Sequence, residues 1–69
     1  MKYYAIYTLN DELVAVLNNK EEYKKFFKKK TDNAFYNSIS DIRIGKIKTV
    51  TVDGKHYKVY IMEDNEDNN

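Results

Sequence analysis

Asn33, Tyr36, Asn37, Ser40 and Arg43 recur at the three- and four-residue spacing that places side chains on one face of a helix. Those residue types can read nucleic acid. An asparagine amide can pair bidentately with adenine, an arginine can reach guanine or phosphate, and a serine hydroxyl can donate to either. A tyrosine can stack on a base or bond a phosphate. Lys28, Lys29 and Lys30 lie just before this segment, with Lys46 and Lys48 just after it. Cations there can position a module on phosphates. A solvated polar helix face with ordinary lysines would use the same vocabulary.

Two helices must position these groups. Tyr23, Phe26 and Phe27 recur at i, i+3 and i+4 and make one apolar stripe. Lys24, Lys25, Lys28 and Lys29 fall on the opposite side, with Lys30 at the apolar edge. Asn19 followed by Glu22 has the spacing of an N-cap with its reciprocal acid. Thr31-Asp32-Asn33 breaks the periodicity with side chains that compete for backbone hydrogen bonds, and Thr31 or Asp32 can cap a second helix. In that helix Ala34, Phe35, Ser38, Ile39 and Ile42 share the inward face, and Gly45 is placed to end it.

A strand pair flanks the helices on each side. Residues 2–9 and 13–17 are short runs rich in Tyr, Ile, Val and Leu, joined by the turn cluster Asn10-Asp11-Glu12. Tyr3, Ala5, Tyr7 and Leu9 point one way and Tyr4, Ile6 and Thr8 the other. Residues 46–52 and 55–62 flank Asp53-Gly54, a dipeptide suited to a type I′ turn. A two-residue loop sets Val50 opposite Tyr57, Thr51 opposite His56 and Thr49 opposite Lys58. It also places Lys48 opposite Val59, and Ile47 opposite Tyr60. The predicted order is ββααββ: an α+β domain with both helices, helix-turn-helix-like, on one face of an antiparallel sheet.

A chain of 69 residues makes one domain, predicted over 1–62, with a disordered acidic tail over 63–69. Chains of this size bury only about 60% of their unfolded surface. With no cysteine to staple the fold, seven Tyr and three Phe must carry much of the burial. The net charge of +1 conceals an asymmetry. Between Lys24 and Lys58 there are ten bases and three acids, whereas the last seven residues hold four acids and no base. A positive middle suits an anionic partner. Biased coding composition would produce the same excess of lysine. No apolar run is long enough to span a membrane, and the N-terminus lacks the form of a signal peptide. The expectation is a cytoplasmic protein without membrane contact.

The hairpin YAIYTLNDELVAVLNN, the acid-led helix, the small turn and the segment NAFYNSIS together resemble small helix-turn-helix proteins of phages. They also resemble the modular DNA-binding segments attached to homing endonucleases. The resemblance covers roughly residues 3–43. It implies that the second helix contacts DNA while the first crosses the backbone. It also implies a regulator in a phage or mobile-element setting. Asp32 and Asp41 stand where carboxylates would oppose phosphate contact.

Enzyme chemistry finds little footing, and no catalytic residue, metal ligand set or cofactor is assigned. His56 is the only histidine and follows a turn, Ser40 has no paired base, and the two glycines make no phosphate loop. A second reading is an inhibitor that binds a host protein or defence complex, in the manner of anti-CRISPR proteins. Tyr3, Tyr4 and Tyr7 would anchor it, because tyrosine is enriched in binding hot spots. A homodimer built by edge-strand addition is compatible with both readings.

Overall fold

The computed structural model describes residues 2–63. The element order is β1 (Lys2–Tyr7), β2 (Leu13–Leu17), α1 (Lys20–Phe26), α2 (Asp32–Arg43), β3 (Thr49–Val52) and β4 (Lys55–Glu63). The four strands form one antiparallel sheet in the order β2-β1-β4-β3, and both helices pack on the same face. This is the expected α+β arrangement. Glu63, assigned from composition to the tail, ends β4 opposite Lys2. The predicted disorder over 64–69 lies outside the described residues. No helix among those described is long and apolar enough to cross a membrane.

The first connection is wider than three residues because Thr8 leaves the ladder. Its hydroxyl accepts from the amides of Asn10 and Glu12, both at 3.2 Å, and its backbone closes the turn through Glu12 and Asp11. The register then shifts from Ile6↔Ala15 to Tyr7↔Leu13, leaving Val14 as the extra residue of a bulge on the edge strand. The second hairpin keeps its expected register at Thr49↔Lys58, Val50↔Tyr57 and Thr51↔His56. Its turn residues Asp53 and Gly54 have φ of 52° and 76°, as a type I′ turn requires.

Helix ends account for two departures from the predicted boundaries. α1 stops at Phe26, although its periodicity runs on. There the Lys29 amide bonds Lys24 O at 2.8 Å and the Lys28 amide bonds Lys25 O at 3.4 Å. Those are the two bonds of a Schellman closure, and they put Lys28 in the left-handed region at φ 56°. α2 closes the same way on Gly45, with the amides of Lys46 and Ile47 both drawn to Asp41 O. An amide bonded there cannot join a ladder. β3 therefore starts at Thr49 rather than Lys46, and Ile47 packs against the core instead of facing Tyr60 across the sheet.

The core lies between sheet and helices. Tyr4, Ile6, Leu17, Val50 and Val59 meet Tyr23, Phe27, Phe35 and Ile39. Tyr23 is fully buried, and its hydroxyl lies 2.7 Å from the buried Ser38 hydroxyl. The sequence offers Tyr4 as a binding anchor beside Tyr3 and Tyr7. It is instead 5% exposed, edge-on to Tyr23 at 5.2 Å and to Phe35 at 6.0 Å. Strand alternation explains the split: Tyr4 and Ile6 face the helices, whereas Tyr3 and Tyr7 face the uncovered side.

Two stability predictions follow from these contacts. Lys28→Gly removes the strain of a side chain in the left-handed region and should stabilise the fold by about 0.5–1 kcal/mol in urea denaturation. The exposed Lys28–Asp53 pair it sacrifices is worth less. Unchanged stability would show that the turn stores no strain. For the buried hydroxyl pair, Tyr23→Phe and Ser38→Ala should each cost about 1 kcal/mol. The double variant should cost little more than either, because it strands no polar atom. Additive losses would break the pairing.

Candidate nucleic-acid interface

α2 owes its position to a cap and a sheet of apolar contacts. Thr31, not Asp32, is the N-cap, with its Oγ1 accepting from the Ala34 amide at 3.1 Å. Phe35, Ser38 and Ile39 are buried beneath the helix, and Ala34 and Ile42 are partly so. The opposite side is a crest on which Asn33, Tyr36, Asn37, Ser40 and Arg43 are all exposed. The structure thus brings these five predicted residues onto one surface.

The crest has two flanks. Tyr36, Ser40 and Arg43 border a groove floored by Tyr4, Phe35 and Ile39, with Lys2 and Lys20 at its rim. Lys20 Nζ stands 5.6 Å from the centre of the Tyr36 ring, within cation–π range. On the other flank Asn37 borders a trough shared with Lys29, Asp41 and Thr51. Asp41 therefore belongs to the trough toward β3.

The acid at the start of α2 is already engaged. Asp32 Oδ1 accepts from Lys24 Nζ at 2.8 Å and Oδ2 from Lys20 Nζ at 3.0 Å. These hydrogen bonds, Lys24's first, hold the Asp32 carboxyl below its ordinary pKa; the same bonds raise both lysines. Lys24 also lies 3.8 Å from Glu21, so two ammonium groups meet two carboxylates and the charge at the N-terminal end of α2 is balanced. Asp32 also ties α1 to α2 on the solvent side.

The predicted cations divide into two sets. Lys28 pairs with Asp53 at 2.9 Å, and Arg43 Nη2 with Glu63 at 2.7 Å, close to Lys2. Neither cation is unengaged. Lys29, Lys30, Lys46 and Lys48 have no ion-pair partner among the described residues. Lys29 and Lys30 precede α2, and Lys46 and Lys48 follow it. They bracket a 12-residue helix about 18 Å long, enough to span a major groove about 12 Å wide.

Lys20 was not singled out from sequence, although it contacts both Asp32 and Tyr36. Twelve residues separate it from Asp32, and no local pattern signals a contact that depends on how two helices pack. Ile44, just past α2, is 71% exposed, and nothing in the helical periodicity marks it out. Among the described residues no group of three or more His, Cys, Asp or Glu could hold a metal ion.

The Asp32 clamp sets a pH dependence. A carboxyl whose folded pKa is depressed contributes stability above its unfolded value, and that contribution is lost as pH falls through the folded pKa. By NMR the Asp32 carboxyl should titrate below its ordinary 3.8, and Lys20→Ala with Lys24→Ala should return it toward that value. The melting-temperature gap between wild type and Asp32→Asn should be constant near neutrality and shrink under acid. A gap independent of pH would remove the clamp. No protein-family model, curated protein or solved structure matches this chain.

Proposed function

We propose that this chain is a small, non-catalytic nucleic-acid-binding module that presents α2 to the major groove of DNA and acts as a regulator. The observation that carries the reading is the crest of α2. Amide, hydroxyl and phenol groups stand there between two lysine pairs that lack acidic partners among the described residues. The acid at its first turn is neutralised by Lys20 and Lys24. Asn33 and Asn37 are the candidates for adenine, Ser40 and Tyr36 for base or phosphate, and Lys29, Lys30, Lys46 and Lys48 for phosphates. Arg43 can join them by exchanging Glu63 for a phosphate. The resemblance to phage-type helix-turn-helix segments supports the same geometry and a mobile-element setting.

A second reading has its own observation. The sheet face away from the helices is uncovered, and Val14, Val16, Tyr60 and Met62 are each more than two-fifths exposed. Tyr3 and Tyr7 lie half-buried among them, Tyr7 edge-on to Tyr60 at 5.3 Å. A host protein could dock on that face as an inhibitor's target would, and Tyr3 and Tyr7, but not Tyr4, remain available for it.

Fluorescence anisotropy with labelled duplex DNA tests the first reading. Four phosphate contacts predict a log–log salt slope of about −3.6, or about 100-fold weaker binding at 200 mM than at 50 mM salt. Lys29→Glu with Lys30→Glu should weaken binding to every sequence and flatten the slope by about 2, whereas Lys28→Glu should do much less. Asn37→Ala should cost about 1–3 kcal/mol on a selected site only. No binding at 50 mM salt would end the DNA reading. Tyr7→Ser with Tyr60→Ser should leave DNA binding intact and abolish capture of a protein partner.

A further inference from the structure

The two edges of β4 are unequally used. On one side it pairs with β1 from Lys58 through Glu63. On the other it pairs with β3 only from Lys55 to Lys58, because β3 has four residues and β4 has nine. From Val59 to Glu63 the outer edge has no partner strand among the described residues. Main-chain donors and acceptors along such an edge are a template for another strand.

A cavity of about 730 Å³ lies alongside this open edge. Its floor is apolar, made by Ile42, Ile47, Val59 and Ile61, and Gly45 adds no side chain. Its rim carries Arg43 and Lys48; Lys58 also lines it, but its ammonium is held 2.7 Å from Asp11. The cavity exists because the closure of α2 pulls Lys46 and Ile47 onto Asp41 O, so the chain enters the sheet only at Thr49. An acid already docks on this rim: Glu63, at the end of the open edge, meets Arg43 at 2.7 Å.

We propose that the outer edge of β4 from Val59 to Glu63 takes an extended acidic segment of a partner protein, which adds to the sheet in line with β3. Side chains alternate along an added strand. One set would be apolar and fill the floor over Ile42 and Ile47. The other would carry carboxylates toward Lys48, which has no ion-pair partner among the described residues. Strands of a second copy bring little acid to the rim: LVAVL of β2 has none, and the open run of β4, VYIME, has only its terminal Glu63. The chain's own residues 64–69, DNEDNN, bring acids but nothing apolar for the floor. A nucleic acid would find a single exposed ring, Tyr60, over a floor without donors for its bases. The site meets the α2 crest only at Arg43, and of the other residues assigned to DNA it shares only Lys48.

The probe is a labelled hexapeptide alternating glutamate and isoleucine, with a lysine–isoleucine peptide as its counterpart. Added to the full chain, the glutamate peptide should bind saturably and slow exchange of those Val59–Met62 amides that β1 does not hold. Lys48→Glu, in an exposed loop, should weaken that peptide about tenfold and strengthen the lysine peptide. Amides of Asn33, Asn37 and Ser40 on the α2 crest should not respond, which separates this outcome from success or failure of DNA binding. Absence of binding at about 1 mM peptide would overturn the proposal. So would protection mapped to β2, or outward Val59–Met62 amides already slow in the free chain, which would place a segment of this protein in the slot. Protection of the same amides by single-stranded oligo-dT would overturn it in favour of nucleic acid.

Discussion

Everything in this fold depends on one buried phenol. Tyr23 leans on Tyr4 from the sheet at 5.2 Å, on Phe27 at 4.8 Å and on Phe35 at 5.2 Å, and its hydroxyl meets Ser38. A single side chain therefore joins α1, α2 and β1 in a chain that has no disulfide. Burial pushes its pKa above the ordinary tyrosine value, with the Ser38 bond working the other way. The neutral hydroxyl finds its hydrogen-bond partner in Ser38. Edge-to-face rings contribute about 0.5–1.5 kcal/mol each beyond the area they bury. In so small a core that is a substantial part of the whole. Through Phe35 and Ser38 the same cluster holds the inner face of α2, which leaves the crest on the outer one.

Helix closure is the second constraint, and its effect reaches the sheet. α1 and α2 end with the same pair of hydrogen bonds, but only α2 has a glycine at the left-handed position. At α1 a lysine occupies it, and the reversal at Lys28 is what ends the helix before its apolar periodicity does. At α2 the closure consumes two amides that strand propensity would have given to β3. Those two amides shorten β3, expose the edge of β4 and open the cavity beside it. A local preference at one helix terminus thus creates a surface two elements away.

These causes mark the limit of what could be read from sequence. Asp53-Gly54 and the alternation around it carried enough local information to give three cross-strand pairs in register, since a two-residue turn leaves no freedom. The inward residues of α2 were equally legible, because a 12-residue periodicity admits one face. Thr8 was less so: its choice between ladder and turn depends on a side-chain hydroxyl rather than on hydrophobic pattern. The competition between a Schellman closure and a strand start at Lys46 and Ile47 was also hidden, because both states suit the same residues. Tyr4 was assigned to a role and not to a face; alternation had already grouped it with Ile6, away from Tyr3 and Tyr7. Of the candidate site, the crest and its lysines were visible as a pattern. Their ion pairs were not, since Lys20–Asp32, Lys28–Asp53 and Arg43–Glu63 each join separate elements.

Those long-range pairs decide how the positive charge is used. Asp11, Asp32, Asp53 and Glu63 each hold a cation from another element, so half of the acids among the described residues serve the fold internally. Exposed pairs of this kind add little stability. Their larger consequence is for the surface field, because each one cancels a local charge where it stands. Among the described residues, four of the six bases without an ion-pair partner stand before and after α2, and that placement was invisible in a net charge of +1. Moving one acid would redistribute the field without altering the total. Function in so small a protein thus turns less on how many lysines it carries than on which of them the fold leaves without a partner.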